Sequence, residues 1–138
     1  MDKRIDIHKA GGILIKDRKF LVGRSKGKTY FVAPGGKLEL GEISEQALIR
    51  ELKEELTIEI VLQDLEKFGT FYALAAEQEN KYLQMDVFLV SQWSGDIQPS
   101  GEIEEIMWID SSVPDETQLG SIFRHEVLPR LKQDDLID

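Results

Sequence analysis

"GGKLELGEISEQALIRELKEELTI", Gly35 to Ile58, decides how the chain is read. From Ser44 to Leu56 apolar residues recur at three- and four-residue spacing, which predicts an amphipathic helix. Leu48, Leu52, Leu56 and Ile49 make its buried stripe. Glu51, Glu54 and Glu55 share the adjacent sector, where like charges three and four residues apart repel. Ala47, one turn earlier, leaves space over them. A divalent cation turns such repulsion into binding. Mg2+ is a hard, oxygen-seeking ion, typically held by one or two carboxylates while substrate phosphates complete its coordination. "RELKEEL" alone also fits the exposed face of any solvated helix, so the residues before it carry the weight.

Outward from this helix, the chain reads as one mixed unit. "AGGILIKDRKFLVGRS" holds two apolar runs around an Asp17-Arg18 turn, a hairpin pattern. "TYFVAPGG" reads as a short strand broken at Pro34-Gly35-Gly36. "IVLQDLEKFGTFYALAA" and "KYLQMDVFLVSQW" read as long antiparallel strands joined near Glu77 to Asn80. "SGDIQPSGEIEE" reads as a loop before a short buried strand, "IMWI", and "LGSIFRHEVLPRLKQ" as a C-terminal helix disturbed by Pro129. Several strands and two helices without βαβ alternation predict an α+β fold, a mixed β-sheet flanked by helices, as a single domain over 1–138.

Bulk composition narrows the function classes. With 41% hydrophobic and 31% charged residues the chain is globular, and without cysteine it has neither disulfide nor thiolate chemistry. A net charge of −9 repels phosphate backbones, so no nucleic acid polymer is expected as partner. A small anionic ligand stays compatible, because a bound cation inverts the charge locally. No apolar run reaches bilayer length and the charged N-terminus lacks a secretory pattern, so no membrane partner and a cytoplasmic location are expected. "GRSKGKT", Gly23 to Thr29, is not a phosphate loop: only three residues separate its glycines and a strand follows. Arg24, Lys26 and Lys28 remain candidates for contact with an anion.

Gly36, five residues, Glu42, seven residues, Arg50-Glu51-Leu52, one residue, then Glu54-Glu55 gives G-x5-E-x7-R-E-U-x-E-E, with U a bulky aliphatic. This pattern, residues 36–58, resembles the box of the Nudix (MutT-type) hydrolases, and Pro34-Gly35 and Lys37 match as well. Thr57 stands where the family has glycine. A left-handed helix end suits glycine, so the helix is expected to close differently here.

The resemblance implies an α/β/α sandwich and a metal-dependent hydrolase. Such enzymes cleave a pyrophosphate bond in nucleoside diphosphate derivatives by water attack on phosphorus, with Mg2+ or Mn2+. Carried onto this chain, Glu51, Glu54, Glu55 and the Gly35 carbonyl are implied metal ligands. Glu51 is alternatively the base, Arg50 positions a box glutamate, and Glu42 supports the site from its loop. Glu102, before the late strand, is a further candidate ligand. Arg24, Lys37 and Tyr72 are candidates for substrate contact. Asn80 is the only asparagine and falls in a turn, which gives no support to the asparagine-based purine reading of the oxidised-guanine branch. Dinucleoside polyphosphate and ADP-ribose remain alternative substrates, and a non-catalytic nucleotide-sensing module remains an alternative function. The oligomeric state is open, a homodimer included.

Overall fold

The computed structural model describes residues 5–74 and 81–138. Their strands are β1 (Ile7–Ile13), β2 (Ile15–Lys16), β3 (Lys19–Ser25), β4 (Gly35–Lys37), β5 (Leu65–Leu74), β6 (Tyr82–Val90) and β7 (Ile103–Ile109). Helix α1 spans Ser44–Leu56, as its periodicity predicts, and α2 spans Leu128–Gln133. Four strands form one sheet in the order β4-β1-β6-β5, and β2-β3-β7 form a second. Within the first sheet β1 runs parallel to β6, while β4 and β5 are antiparallel to their neighbours. The fold is therefore α+β with mixed pairing.

Two apolar clusters flank the four-stranded sheet. On one face, Leu48, Leu52 and Leu56 of α1 pack with Ala10, Leu14, Leu21, Phe88 and Val90. On the other, Phe123, Val127, Leu128 and Leu131 of the C-terminal helical segment pack with Ile13, Phe20, Val22, Met85 and Val87. Each face of the sheet thus carries one helical element, the α/β/α arrangement.

Local chemistry explains the element ends. Asp17 and Arg18 both take positive φ, 53° and 59°, which closes the β2–β3 hairpin at its expected turn. Ile43 has no side-chain acceptor to cap α1, so Gln46 accepts its N–H at 3.0 Å. Ser44, the first helical residue, instead donates its hydroxyl to Asp86 of β6. That bond sets an anion near the positive end of the helix. Ahead of Pro129, Phe123–Val127 forms a single π-helical turn, a relaxation of the helix that the missing proline donor permits.

Three strand boundaries differ from the sequence reading. Pro34-Gly35-Gly36 does not end a strand; Gly35 begins β4, while Phe31 and Val32 make only isolated bridges. Glycine makes this pairing possible: a Cβ on Gly35, at φ 149°, would lie 1.9 Å from the Ala10 carbonyl oxygen. Leu62–Asp64 is a 3-10 turn rather than strand, because the Asp64 carboxylate accepts the Val61 N–H at 2.9 Å. β7 starts at Ile103, inside the stretch read as loop, as it pairs with β3 through Ser25↔Ile103. The proposed turn at Glu77 to Asn80 lies outside the described residues.

The expected difference at the end of α1 is not found. Thr57 takes the left-handed conformation, φ 59° and ψ 28°, and its N–H reaches the Lys53 carbonyl. Its Oγ1 donates to the Asp96 carbonyl at 3.0 Å, which offsets the strain of a β-branched residue there. The loop that supplies Asp96 also donates from Gln98 and Ser100 to the Leu56 and Glu55 carbonyls. Thr57→Val keeps the strain and loses the hydroxyl. It is expected to cost about 1 kcal/mol in urea unfolding, and an unchanged midpoint would refute this account.

Candidate active site

Helix α1 lies across the α1-facing side of the sheet and brings Glu51 and Glu55 to edge strand β4. Glu55 is 8% exposed and accepts the Gly35 N–H at 3.1 Å through Oε1. Gly36 faces Glu51 so closely that a Cβ there would sit 2.5 Å from the Glu51 carboxyl carbon. The two glycines thus do separate jobs. Gly35 lets β4 approach β1, and Gly36 leaves the volume that the Glu51 carboxylate fills.

Arg50 organises the rest. Its Nε and Nη2 grip both oxygens of Glu42 at 2.9 Å each, and its Nη2 also donates to the Lys37 carbonyl at 3.1 Å. Nη1 donates to Glu51 Oε1 at 2.7 Å and reaches Glu54 Oε2 at 3.5 Å. One planar guanidinium therefore ties the loop before α1 to two helix carboxylates, a task its rigid fork suits. The Arg50 hydrogen bonds, joined by the Glu39 N–H, hold the Glu42 carboxyl down at about 2. Arg50 is in turn raised above its usual range, chiefly by Glu42.

The carboxylates nearest β4 behave oppositely. Burial, then the charge of Glu51, pushes Glu55 up to about 8 against the opposing hydrogen bond from Gly35. Burial likewise raises Glu51, although Arg50 pulls it back. Between pH 5 and pH 7 Glu55 therefore holds a proton where an exposed glutamate would not. A buried, oxygen-only set that resists carrying its full negative charge matches what a hard divalent cation compensates. Among the described residues no three acidic or histidine side chains already converge as a closed cation cage. Arg50 stands between Glu51 and Glu54, so a cation would displace part of that contact. The donor chemistry fits a hard divalent cation.

On the opposite side of the glycines, a cleft runs between the sheet and the C-terminal helical segment. Lys9, Gly35 and Gly36 border it, while Val32, Leu83, Met85 and Phe123 give it apolar walls. Lys9 pairs across the β1–β4 ladder with Lys37. Burial, then the charges of Lys37 and Lys28, lowers the Lys9 pKa, with Glu55 and Glu51 opposing. Sequence reading passed over Lys9, because it lies in β1, far from the box along the chain. The strand register alone brings it there.

The remaining candidates scatter. Glu102 is exposed, in the segment where Gly101 packs against the backbone carbonyl of Glu54, so it borders the last turns of α1. Arg24 is occupied by Glu104 at 2.6 Å and Glu105 at 3.3 Å on β7. Tyr72 is 56% exposed and opposes Gln84, whereas its neighbour Ala73 borders the cleft. Strand alternation therefore turns Tyr72 to the α1 side of the sheet, away from the cleft.

Gly36→Ala separates the site from the fold. The added methyl meets only the end of a flexible side chain, so the melting temperature is expected to stay within about 3 °C. Glu51 must leave its place, and a displacement of about 1 Å is expected to lower kcat roughly 100-fold. Retained activity in a well-folded variant would rule out this role for Glu51.

Comparison with known proteins identifies the family and the fold. A family model for the NUDIX domain matches residues 6–131. A Haemophilus influenzae protein described as an 8-oxo-dGTP diphosphatase is 36% identical over 124 residues, covering 86% of this chain and 85% of that protein. An ADP-ribose pyrophosphatase of Methanocaldococcus jannaschii is 27% identical over 113 residues, covering 78% of this chain and 65% of its own. The solution structure of the E. coli ORF135 protein superposes with a TM-score of 0.70 at 23% identity, covering 93% of this chain and 89% of that one, a likeness of fold.

Proposed function

This chain belongs to the Nudix family, and on that premise we propose that it hydrolyses a pyrophosphate bond of a nucleoside polyphosphate or nucleoside diphosphate derivative. The observation that carries the reading is the junction at Gly35-Gly36. Carboxylates reach it from α1 on one side, and an apolar cleft with a lysine at its border opens on the other. A nucleotide has both halves of that chemistry, a flat base whose faces stack on apolar walls and an anionic phosphate chain.

Glu54, Glu55 and the Gly35 carbonyl would hold Mg2+, or Mn2+, with Glu102 a further ligand from its loop, while Glu51 serves as the base instead of as a ligand. When bound, the cation supplies charge neutralisation to the polyphosphate and acidifies water. The chain's own groups do the rest. Arg50 fixes Glu51 by its Oε1, which leaves Oε2 as the proposed acceptor of the proton from attacking water. Burial raises Glu51 and so improves it as a base near neutral pH. Glu42 keeps Arg50 in place. Lys37 borders the phosphate path; Arg24 and Tyr72, held or turned elsewhere, are not assigned a substrate contact.

Relatives acting on 8-oxo-dGTP and on ADP-ribose favour two substrate classes, and the first relative is the more similar. Only Thr57, the one departure from the box pattern, favours the non-catalytic alternative. With the helix end closed in the left-handed form that a glycine would take, and every box glutamate in place, it loses that support. A small-molecule nucleotide partner, a single domain over 1–138 and a cytoplasmic setting complete the proposal. Among the described residues no helix is long and apolar enough to cross a membrane. The test is a nucleotide panel with Mg2+ that includes 8-oxo-dGTP and ADP-ribose, read by product identification. Absence of turnover across the panel, or full activity in Glu54→Gln, would remove the reading.

A further inference from the structure

Lys9 poses a problem that the box does not solve. It stands directly opposite Lys37 on the β1–β4 ladder, so both side chains leave the same face of the sheet. Like charges directly opposite on adjacent strands destabilise the pairing. Lys28 adds a third positive charge close enough to act on Lys9. This occurs in a chain whose net charge is −9. Among the described residues Lys9 forms no salt bridge, and Glu51 and Glu55 act on it only at longer range. The lysine pair is therefore a local reversal of sign beside an acidic cluster.

Its position gives that reversal a use. Lys9 borders the cleft at the same end as Gly35 and Gly36, while Leu83, Met85 and Phe123 line the apolar remainder. A ligand that fills the cleft with an apolar ring and extends toward Glu51 and Glu55 must pass Lys9. An ammonium is a compact point charge with three donors, suited to a phosphate approached from several directions. We propose that Lys9, with Lys37 beside it, binds the phosphate chain of the nucleotide where it leaves the apolar cleft for the acidic edge of β4. Lys9 is thus a substrate-binding residue outside the box, and it reads phosphate rather than base. This rests on the nucleotide reading above, and the test separates the two.

Binding of dGTP, inorganic tripolyphosphate and deoxyguanosine is measured by calorimetry in EDTA, so that no metal contributes. Wild-type protein binds dGTP and tripolyphosphate. Lys9→Met weakens both about tenfold, the loss expected for one charge-assisted contact, and leaves deoxyguanosine unchanged. Lys9→Arg restores most of the affinity, and a matched melting temperature shows that the variants are folded. Equal dGTP affinity in Lys9→Met overturns the inference. So does parallel loss of dGTP and deoxyguanosine, which marks a structural role, and so does wild-type protein that binds neither anion. Turnover across the nucleotide panel is scored separately. Lys9-dependent dGTP binding without any turnover removes the catalytic reading and keeps this one; turnover with Lys9-independent binding does the reverse.

Discussion

Mixed with Mg2+ or Mn2+ at pH 7, metal-free protein is expected to release about one proton per chain, because a metal ligand must give up its proton to bind. Glu55 is the source. Its carboxyl is pushed up to about 8 by burial and by Glu51, so it is largely protonated at pH 7 before the cation arrives. Glu55→Gln has no proton to give, and its release should fall close to zero. The same substitution is expected to lower kcat at least 100-fold, the usual loss when one charge-stabilising group is removed from a transition state. Equal proton release in both proteins, followed in weakly buffered solution, would exclude Glu55 as the linked group.

Stability follows from the same carboxyl, and the sign is opposite to the common carboxylate case. Folded Glu55 titrates at about 8, whereas an unfolded glutamate titrates near about 4.3. Between those values the folded state binds more protons, so metal-free stability is full below the lower value and falls as pH rises through the higher one. The loss is on the order of a few kcal/mol between pH 5 and pH 9. Melting curves in EDTA should show that decline. Adding cation at pH 8 should reverse it, and Glu55→Gln should flatten it. A variant with the same slope as wild type would assign the decline elsewhere.

Asp86→Ala is expected to damage the fold away from the candidate active site by about 3 kcal/mol, or near 10 °C in melting temperature. Asp86 is 5% exposed and gathers four hydrogen-bond partners on the α1 side of the sheet. Ser44 donates to Oδ2, Thr70 donates to Oδ1 at 2.9 Å, His8 Nε2 lies 2.6 Å from Oδ2, and Gln84 reaches Oδ1 at 3.3 Å. Burial alone would push this carboxyl up. The hydrogen bonds from Ser44, His8, Thr70 and Gln84 outweigh it and hold the group well below the usual carboxylate range. Removing the acceptor leaves the Ser44 hydroxyl buried and unpaired beneath the start of α1. Asp86→Asn retains an acceptor and should lose less than half as much. The double variant Ser44→Ala with Asp86→Ala should cost less than the two singles together. A loss below 1 kcal/mol for Asp86→Ala, from urea unfolding, would show that α1 is seated by apolar packing alone.

How far the sequence reaches is clear from particular residues. Helix α1 was legible to its end residues, because a 3.6-residue apolar period and a box of fixed spacing agree over the same stretch. The β2–β3 hairpin was legible from two short apolar runs about a polar turn. β4 was not, since glycines carry no strand preference and Gly35 pairs only because it lacks a Cβ where β1 passes. Lys9 and the Asp86 cluster were illegible for a related reason. His8 and Asp86 stand 78 residues apart, and nothing local in either segment announces the other. Tyr72 shows the limit of counting positions. The irregularity between Lys67 and Gly69 resets the register of β5, so the side of the sheet that Tyr72 takes cannot be counted along the strand from the sequence.

The parallel pairing of β1 with β6 carries a consequence for how the chain reaches this state. His8 finds its ladder partner Gln84 only across 76 residues, at the centre of the larger sheet. Contacts of such long sequence separation are slow to form, because the loop they close must be ordered before they repay it. During synthesis the apolar end of β1, "GGI", therefore emerges long before the strand that covers it. The β2–β3 hairpin and α1 can form meanwhile from local contacts. Refolding is thus expected to be governed by the arrival of β6, and a ribosome-bound chain halted before Tyr82 should expose β1 to proteases and to other chains.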